Sequence, residues 1–249
     1  AGAVLAGEAG VLLGCGDGDD PFIFAACAER LPEGDYRLAD QLDDRRATLA
    51  CLGWLMGGYR FDRYKAQKPA AARLIAPPNA DIAAALRAAA GVRLARDLIN
   101  TPAADMLPCA LEEAARALAA EHDGEVDAII GEDLLAKNFP MVHAVGRAAA
   151  AAPRLIDLKW GREDAPKLTL VGKGVCFDSG GLNLKNTAGM ALMKKDMGGA
   201  AHVLALAQLV MKYRLPVRLQ LLIPAVENSV SGNAYRPGDV IRTRKGVTV

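Results

Sequence analysis

The sequence predicts an α/β protein: a small N-terminal α/β domain (residues 1–75), a linker helix (76–101) and a larger α/β domain (102–249) with a mixed, largely parallel sheet covered by helices. Three observations predict it. Strand-length apolar runs alternate with helical segments through the second half of the chain, the pattern of a sheet with helices on both faces. Leu219 to Ile223 is a near-continuous apolar run of the kind found inside parallel sheets. Pro69 and the Pro77-Pro78-Asn79 cluster punctuate the chain just ahead of an alanine-rich segment, which marks a boundary followed by a helix.

The elements follow in order. Gly14 to Pro21 reads as a loop and Phe22 to Arg30 as a helix. The spacing of Gly14, Gly16 and Gly18 fits neither the dinucleotide fingerprint nor the P-loop, so a flexible turn is expected there. Asp81 to Leu98 is the alanine-rich helix, with Asn79 or Asp81 as its cap and Asn100-Thr101-Pro102 as its end. Pro108 to Glu121 is amphipathic with proline at its start, where a helix tolerates one. Val126–Ile130, Leu155–Trp160 and Leu168–Val171 read as strands, and Asp133–Asn138 as a helical turn. Gly199 to Tyr213 is apolar on nearly every face, which predicts a buried helix.

Composition narrows the function. Thirty basic and 29 acidic residues leave a net charge of +1, and only 5% of residues are aromatic. Neither a basic surface for nucleic acid nor a base-stacking platform is predicted. The five cysteines, at 15, 27, 51, 109 and 176, form no Cys-x-x-Cys, so neither a disulfide framework nor a zinc knuckle is expected. No run reaches membrane-span length, and a cytoplasmic location is the expectation.

The chemistry concentrates between Val171 and Ala201. Lys173, Asp178, Lys185 and Asp196 stand there among glycines and apolar residues. Buried charges must be paired or hold a metal, so this run is predicted to build a site, past the carboxyl ends of the strands. An ordinary ion pair at a strand end is the simpler alternative. Ser179 lacks the elbow motif of a nucleophilic serine and is expected to shape the turn. His143 reads as a strand-end histidine, His202 as a helix-face one and His122 as surface.

Val171–Lys185 and Gly189–Ala201, with Gly57–Lys65, Leu94–Pro102 and Glu227–Asp239, resemble the leucyl aminopeptidase family, the dinuclear metallo-exopeptidases also called cytosol aminopeptidases. These segments extend the likeness over most of the chain after about residue 50. The resemblance implies release of N-terminal residues, leucine-like ones preferred, from peptide substrates. It implies two divalent metal ions, Zn2+ or Mn2+, and a bicarbonate acting as base. By position it makes Lys173, Asp178 and Asp196 metal ligands, Lys173 through its neutral amine. Lys185 is the catalytic, substrate-binding lysine that steadies the oxyanion, and Met193 lines the pocket for the substrate's first side chain. A homo-hexamer is the implied assembly.

The family takes its remaining ligands, an aspartate and a glutamate, and the arginine that holds bicarbonate, from an Asn-Thr-Asp-Ala-Glu-Gly-Arg motif. That motif follows the turn at Arg236–Asp239, and Val249 precedes it here; the first residue is Ala1. The sequence is therefore expected to be a piece of an enzyme, with the larger domain the first half of a catalytic domain and the 249 residues inactive by themselves. The alternative expectation is a non-catalytic truncated homologue serving as a structural or regulatory subunit. A phosphate loop at Gly172-Lys173-Gly174 lacks the Lys-Ser/Thr ending and is set aside. The intact mass of the purified protein tests the expectation: a piece of an enzyme comes from a protein heavier than these 249 residues, and a mass equal to theirs favours the non-catalytic alternative.

Overall fold

Among the described residues, two pairs of short strands, two helices and the first part of a third make up the N-terminal unit. β1 (Val4–Gly7) pairs antiparallel with β2 (Gly10–Leu13). A 3-10 turn at Pro21–Ile23, capped by Asp20, leads into α1 (Ala25–Arg30). β3 (Gly34–Tyr36) pairs parallel with β4 (Ala72–Leu74), and α2 (Asp44–Gly57) lies between them in sequence. The computed structural model describes residues 4–7, 10–14 and 20–249 and divides into units 1–93 and 94–249. Most of the expected loop between Gly14 and Pro21, with Gly16 and Gly18, lies outside the described residues.

The helix expected over Phe22–Arg30 is thus a 3-10 turn followed by a short α-helix. α2 is an addition to the predicted elements. Asp43 starts it by accepting the Arg46 N–H at 2.8 Å, satisfying one of the amides a helix start leaves open. Its buried face carries Ala47, Ala50, Gly53 and Gly57 among Cys51, Trp54 and Met56. So many small residues blunt the apolar periodicity by which a helix is recognised. They also bring helices close: a Cβ on Gly57 would stand 2.2 Å from the Ala25 carbonyl oxygen. Cys27, Ala28, Leu31, Trp54 and Ala72 form the core, and the Trp54 indole N–H donates to the Ala72 carbonyl at 3.1 Å.

α3 (Ile82–Asn100) carries the division between the units. Asp81 caps it through the Ala84 N–H at 2.8 Å, whereas the Asn79 amide donates to the Leu42 carbonyl and to Asp44. Then come α4 (Pro108–Ala120), β5 (Glu125–Ile130), α5 (Asp133–Ala136), α6 (Pro140–Gly146), β6 (Arg154–Trp160), β7 (Lys167–Val171) and β8 (Gly174–Asp178). α7 (Thr187–Met190), a 3-10 turn at Met193–Met197, α8 (Gly198–Lys212) and β9 (Arg218–Asn228) complete the order. His143 lies in α6, where Pro140 opens a helix that the apolar run did not distinguish from a strand. His122 is half-buried, with Nε2 shut off from solvent.

The sheet of the second unit runs β5-β6-β9, with β7 and β8 both on the far side of β9. β6 is antiparallel to both neighbours; β7 and β8 are parallel to β9. β6 alone runs against the rest, which makes the sheet mixed and largely parallel. Val171 lies opposite Leu222 and Gly174 opposite Ala225, the same offset, so β7 and β8 are one edge strand interrupted at Gly172-Lys173. Gly172 still donates to the Leu222 carbonyl at 3.0 Å. Alternation along β9 then turns Pro224 toward the same edge, where it has no N–H to donate. The ladder therefore breaks beside Lys173, as expected of a proline inside a sheet.

Leu219, Leu221 and Ile223 of β9, Ile156 and Leu158 of β6, Leu111 of α4 and Leu204 of α8 form the fully buried centre. The opposite face of β9 is less covered, with Gln220 and Leu222 half-buried. α8 is not buried all round: Gly199, His202 and Leu206 form an exposed stripe, because the sheet covers one side of it.

One buried acid ties α4 to β6. Glu112 accepts from Arg116 at 2.8 Å and from Arg154 at 2.7 Å. Burial works against its charge, yet the two guanidiniums hold its carboxyl below the usual glutamate range. A lowered folded-state pKa contributes stability that is present above the unfolded value and is lost as pH falls through the folded one. Urea denaturation at stepped acid pH is expected to show this loss, with Glu112→Gln flattening that part of the profile. At neutral pH Glu112→Ala is expected to cost about 3–5 kcal/mol, since it leaves Arg154 buried and unpaired.

Candidate metal centre

The interruption of the edge strand is where the first charged pair is built. A Cβ on Gly172 would stand 2.5 Å from Val203 Cγ2 and 2.8 Å from Ala200 Cα, so only glycine lets the start of α8 press against this strand. Gly199 does the same from the other side, 2.8 Å from the Lys173 nitrogen by the same measure. The Lys173 carbonyl, which alternation points away from β9, accepts the Ala200 N–H at 2.8 Å. This seats Lys173 against the end of the 3-10 turn, and its Nζ lies 3.1 Å from Asp196 Oδ2. Lys194 holds the same turn from behind, donating to the Asn100 carbonyl at 2.9 Å. Met193 opens the turn half-buried, whereas Met197 is wholly in the core.

The second pair forms at the end of β8. Asp178 Oδ2 lies 2.8 Å from Lys185 Nζ. Asp178 Oδ1 accepts the Gly180 N–H at 2.9 Å and the Asn228 side-chain amide at 2.8 Å. The loop between acid and lysine closes through the Lys185 N–H to the Ser179 carbonyl at 2.9 Å. Gly180 and Gly181 make this turn with φ of 89° and 62°, in the region that favours glycine. Ser179 Oγ donates to the Asn228 carbonyl at 2.8 Å and accepts from Gly181, so it shapes the turn. Burial works against the Asp178 charge, but Lys185, the Gly180 N–H and the Asn228 amide together hold its carboxyl below the usual aspartate range.

The structure thus sorts the four charged residues into two acid–lysine pairs. The acids are the buried members, with side chains 17% (Asp178) and 14% (Asp196) exposed, while Lys173 is 60% exposed. The expectation that all four charges are buried is corrected for Lys173, which sits on an edge strand with solvent beside it. Among the described residues no three His, Cys, Asp or Glu side chains converge on a common point.

Does this donor set fit a divalent cation? Asp196 Oδ2 is sealed from solvent and makes no hydrogen bond among the described residues, although the Lys173 ammonium is near. Shut off from water, this oxygen depends on a positive charge beside it, which Lys173 supplies at 3.1 Å and a bound cation would supply as well. Two carboxylates and an amine are ligands that zinc and manganese accept. The residues fit.

Comparison with known proteins decides the family. Residues 93–249 match the cytosol aminopeptidase family, catalytic domain, and residues 4–77 the M17 aminopeptidase N-terminal domain. The chain belongs to the cytosol aminopeptidase family. It is 39% identical over 224 residues to a probable cytosol aminopeptidase of Roseiflexus castenholzii, covering 84% of this chain and 46% of that protein. A crystal structure of cytosol aminopeptidase from Coxiella burnetii superposes with a TM-score of 0.85 at 46% identity, covering 99% of this chain and 55% of that one. The bottromycin maturation enzyme BotP in complex with Mn gives 0.78 at 34% identity, over 99% of this chain and 58% of that one. The chain spans about half the length of the curated relatives it matches.

Reading the sequence did not single out Asn228, Gly172, Gly199 or Lys194 in these roles. Asn228 stands fifty residues from Asp178, and its partner follows only from the pairing of β8 with β9. A signal for the glycines existed in their flanking of Lys173 and Asp196, but not for what they pack against. Gly172→Ala is expected to push α8 off the strand and cost about 1–3 kcal/mol of stability, measured by urea denaturation.

Proposed function

We propose that the protein is a metal-dependent aminopeptidase that releases N-terminal residues from peptides, with leucine-like residues preferred. The observation that carries this reading is the sealed Asp196 Oδ2 beside the Lys173 amine. Family membership and the Mn complex of BotP support it.

Lys173, Asp178 and Asp196 would hold two divalent cations, Mn2+ or Zn2+. Such a pair of ions supplies an activated water and polarises the scissile carbonyl. Asp178 offers Oδ2 for this, because Oδ1 is already held by Gly180 and Asn228. Lys173 needs little rearrangement, since its exposed side chain already reaches Asp196. Lys185, released from Asp178, places an ammonium where negative charge develops on the carbonyl oxygen, the electrostatic contribution that dominates acyl transfer. Its place at the end of a turn closed onto Ser179 sets the position from which it acts. Met193 contributes apolar surface for the first side chain of the substrate.

Bicarbonate as base and a homo-hexameric assembly rest on the family resemblance, a cytoplasmic setting and a linker role for helix 76–101 on the sequence pattern, and we include all four in the proposal. Among the described residues no helix is long and apolar enough to cross a membrane.

Hydrolysis of a leucine anilide by the purified protein is expected to stop in chelator and return with Mn2+ or Zn2+; turnover that survives chelation overturns the metal-dependent reading. Lys185→Met is expected to lower kcat by about 10²–10³-fold with KM little changed. An equal effect on KM alone would make Lys185 a binding residue and not a stabiliser of the oxyanion.

A further inference from the structure

We infer that Asn228 is a positioning residue for the metal centre: its side-chain amide clamps one oxygen of Asp178 and so aims the other at the cation. The inference rests on the reading of Asp178 as a metal ligand.

Asn228 is the last residue of β9 and Asp178 the last of β8, paired across the strands where the register shifts. The Asn228 carbonyl accepts both the Ser179 N–H at 3.0 Å and Ser179 Oγ at 2.8 Å. Its main chain is thereby locked to the turn that begins one residue after the acid. The side chain reaches back and donates from Nδ2 to Asp178 Oδ1 at 2.8 Å. The direction of the amide is settled by chemistry, because an ionised carboxylate can only accept and the opposite orientation would face two acceptors. Gly181 leaves room for that orientation: a Cβ there would stand 2.9 Å from Asn228 Oδ1.

Together with the Gly180 N–H, the amide fills Oδ1 and fixes the rotation of the carboxylate. Oδ2 then faces Lys185 alone, a contact a flexible lysine can surrender. Without Asn228 the carboxylate keeps a single backbone donor and can rotate about its terminal bond, whose torsional well is broad. Groups that hold a ligand through such hydrogen bonds typically change metal affinity by about 10–100-fold when removed.

The test is calorimetric titration of the protein with Mn2+ alone, at fixed pH, for wild type and three variants. Asn228→Ala is expected to weaken Mn2+ binding about 10–100-fold. Asn228→Gln, which keeps an amide donor, is expected to recover part of the loss; a role in packing the end of β9 predicts instead that the longer side chain does at least as much harm. Ser179→Ala removes the hydroxyl bonds to the Asn228 carbonyl and from the Gly181 N–H but leaves the amide–carboxylate bond, and is expected to weaken Mn2+ binding by less than Asn228→Ala does. Wild-type affinity in Asn228→Ala overturns the inference and leaves the function standing. Equal losses in Asn228→Ala and Ser179→Ala also overturn it, assigning the effect to the loop as a whole. A wild-type protein that binds no Mn2+ overturns the ligand reading of Asp178, and the inference with it. Should Asn228→Ala fail to fold, Asn228→Gln and Ser179→Ala still separate the outcomes, because the clamp requires Gln to bind better than a general disruption of the turn allows.

Discussion

A missing amide hydrogen organises the catalytic-type unit. β9 runs through the middle of the sheet with Pro224 facing the β7–β8 edge, and a parallel ladder cannot be continuous past a residue that cannot donate. The edge strand keeps its register but gives way at Gly172-Lys173. The Lys173 carbonyl, on the outer side of this edge, accepts from the first turn of α8, and two glycines remove the bulk that would keep helix and strand apart. Lys173 meets Asp196 where helix start and strand approach this closely.

The electrostatics follow from where that break sits. Asp178 and Asp196 are carried inward by the end of a strand and by a 3-10 turn, and each meets one lysine. For Asp178, backbone, amide and ammonium donors outweigh the cost of burial, so the acid stays ionised. Asp196 has an oxygen shut away from water that relies on the Lys173 ammonium at 3.1 Å. By comparison Glu112, with two guanidiniums and no open valence, is a structural pair that holds α4 to β6.

Much of this was legible in the residues. The proline at the start of α4, the capping aspartate of α3 and the apolar strands β6 and β7 stand close to their expected bounds, whereas β9, expected over Leu219–Ile223, runs on to Asn228. Where reading failed, a specific ambiguity was responsible. α2 packs through glycine and alanine, which carry little hydrophobic contrast, and α6 is a short apolar run whose type periodicity does not settle. α8 looked buried because composition records what a face is made of, and not whether anything lies opposite it.

For the site, the sequence by itself determined the two lysines and two aspartates, their order, and the glycines that let the chain turn sharply at 180 and 181. Those are local properties, set by side-chain chemistry and by which φ values each residue tolerates. Which acid meets which lysine, which oxygen of Asp178 stays available, and the arrival of Asn228 from fifty residues away were decided only by the tertiary structure. The physical reason is that hydrogen bonds between strands are fixed by register, and register is a property of the whole sheet, which no segment specifies alone.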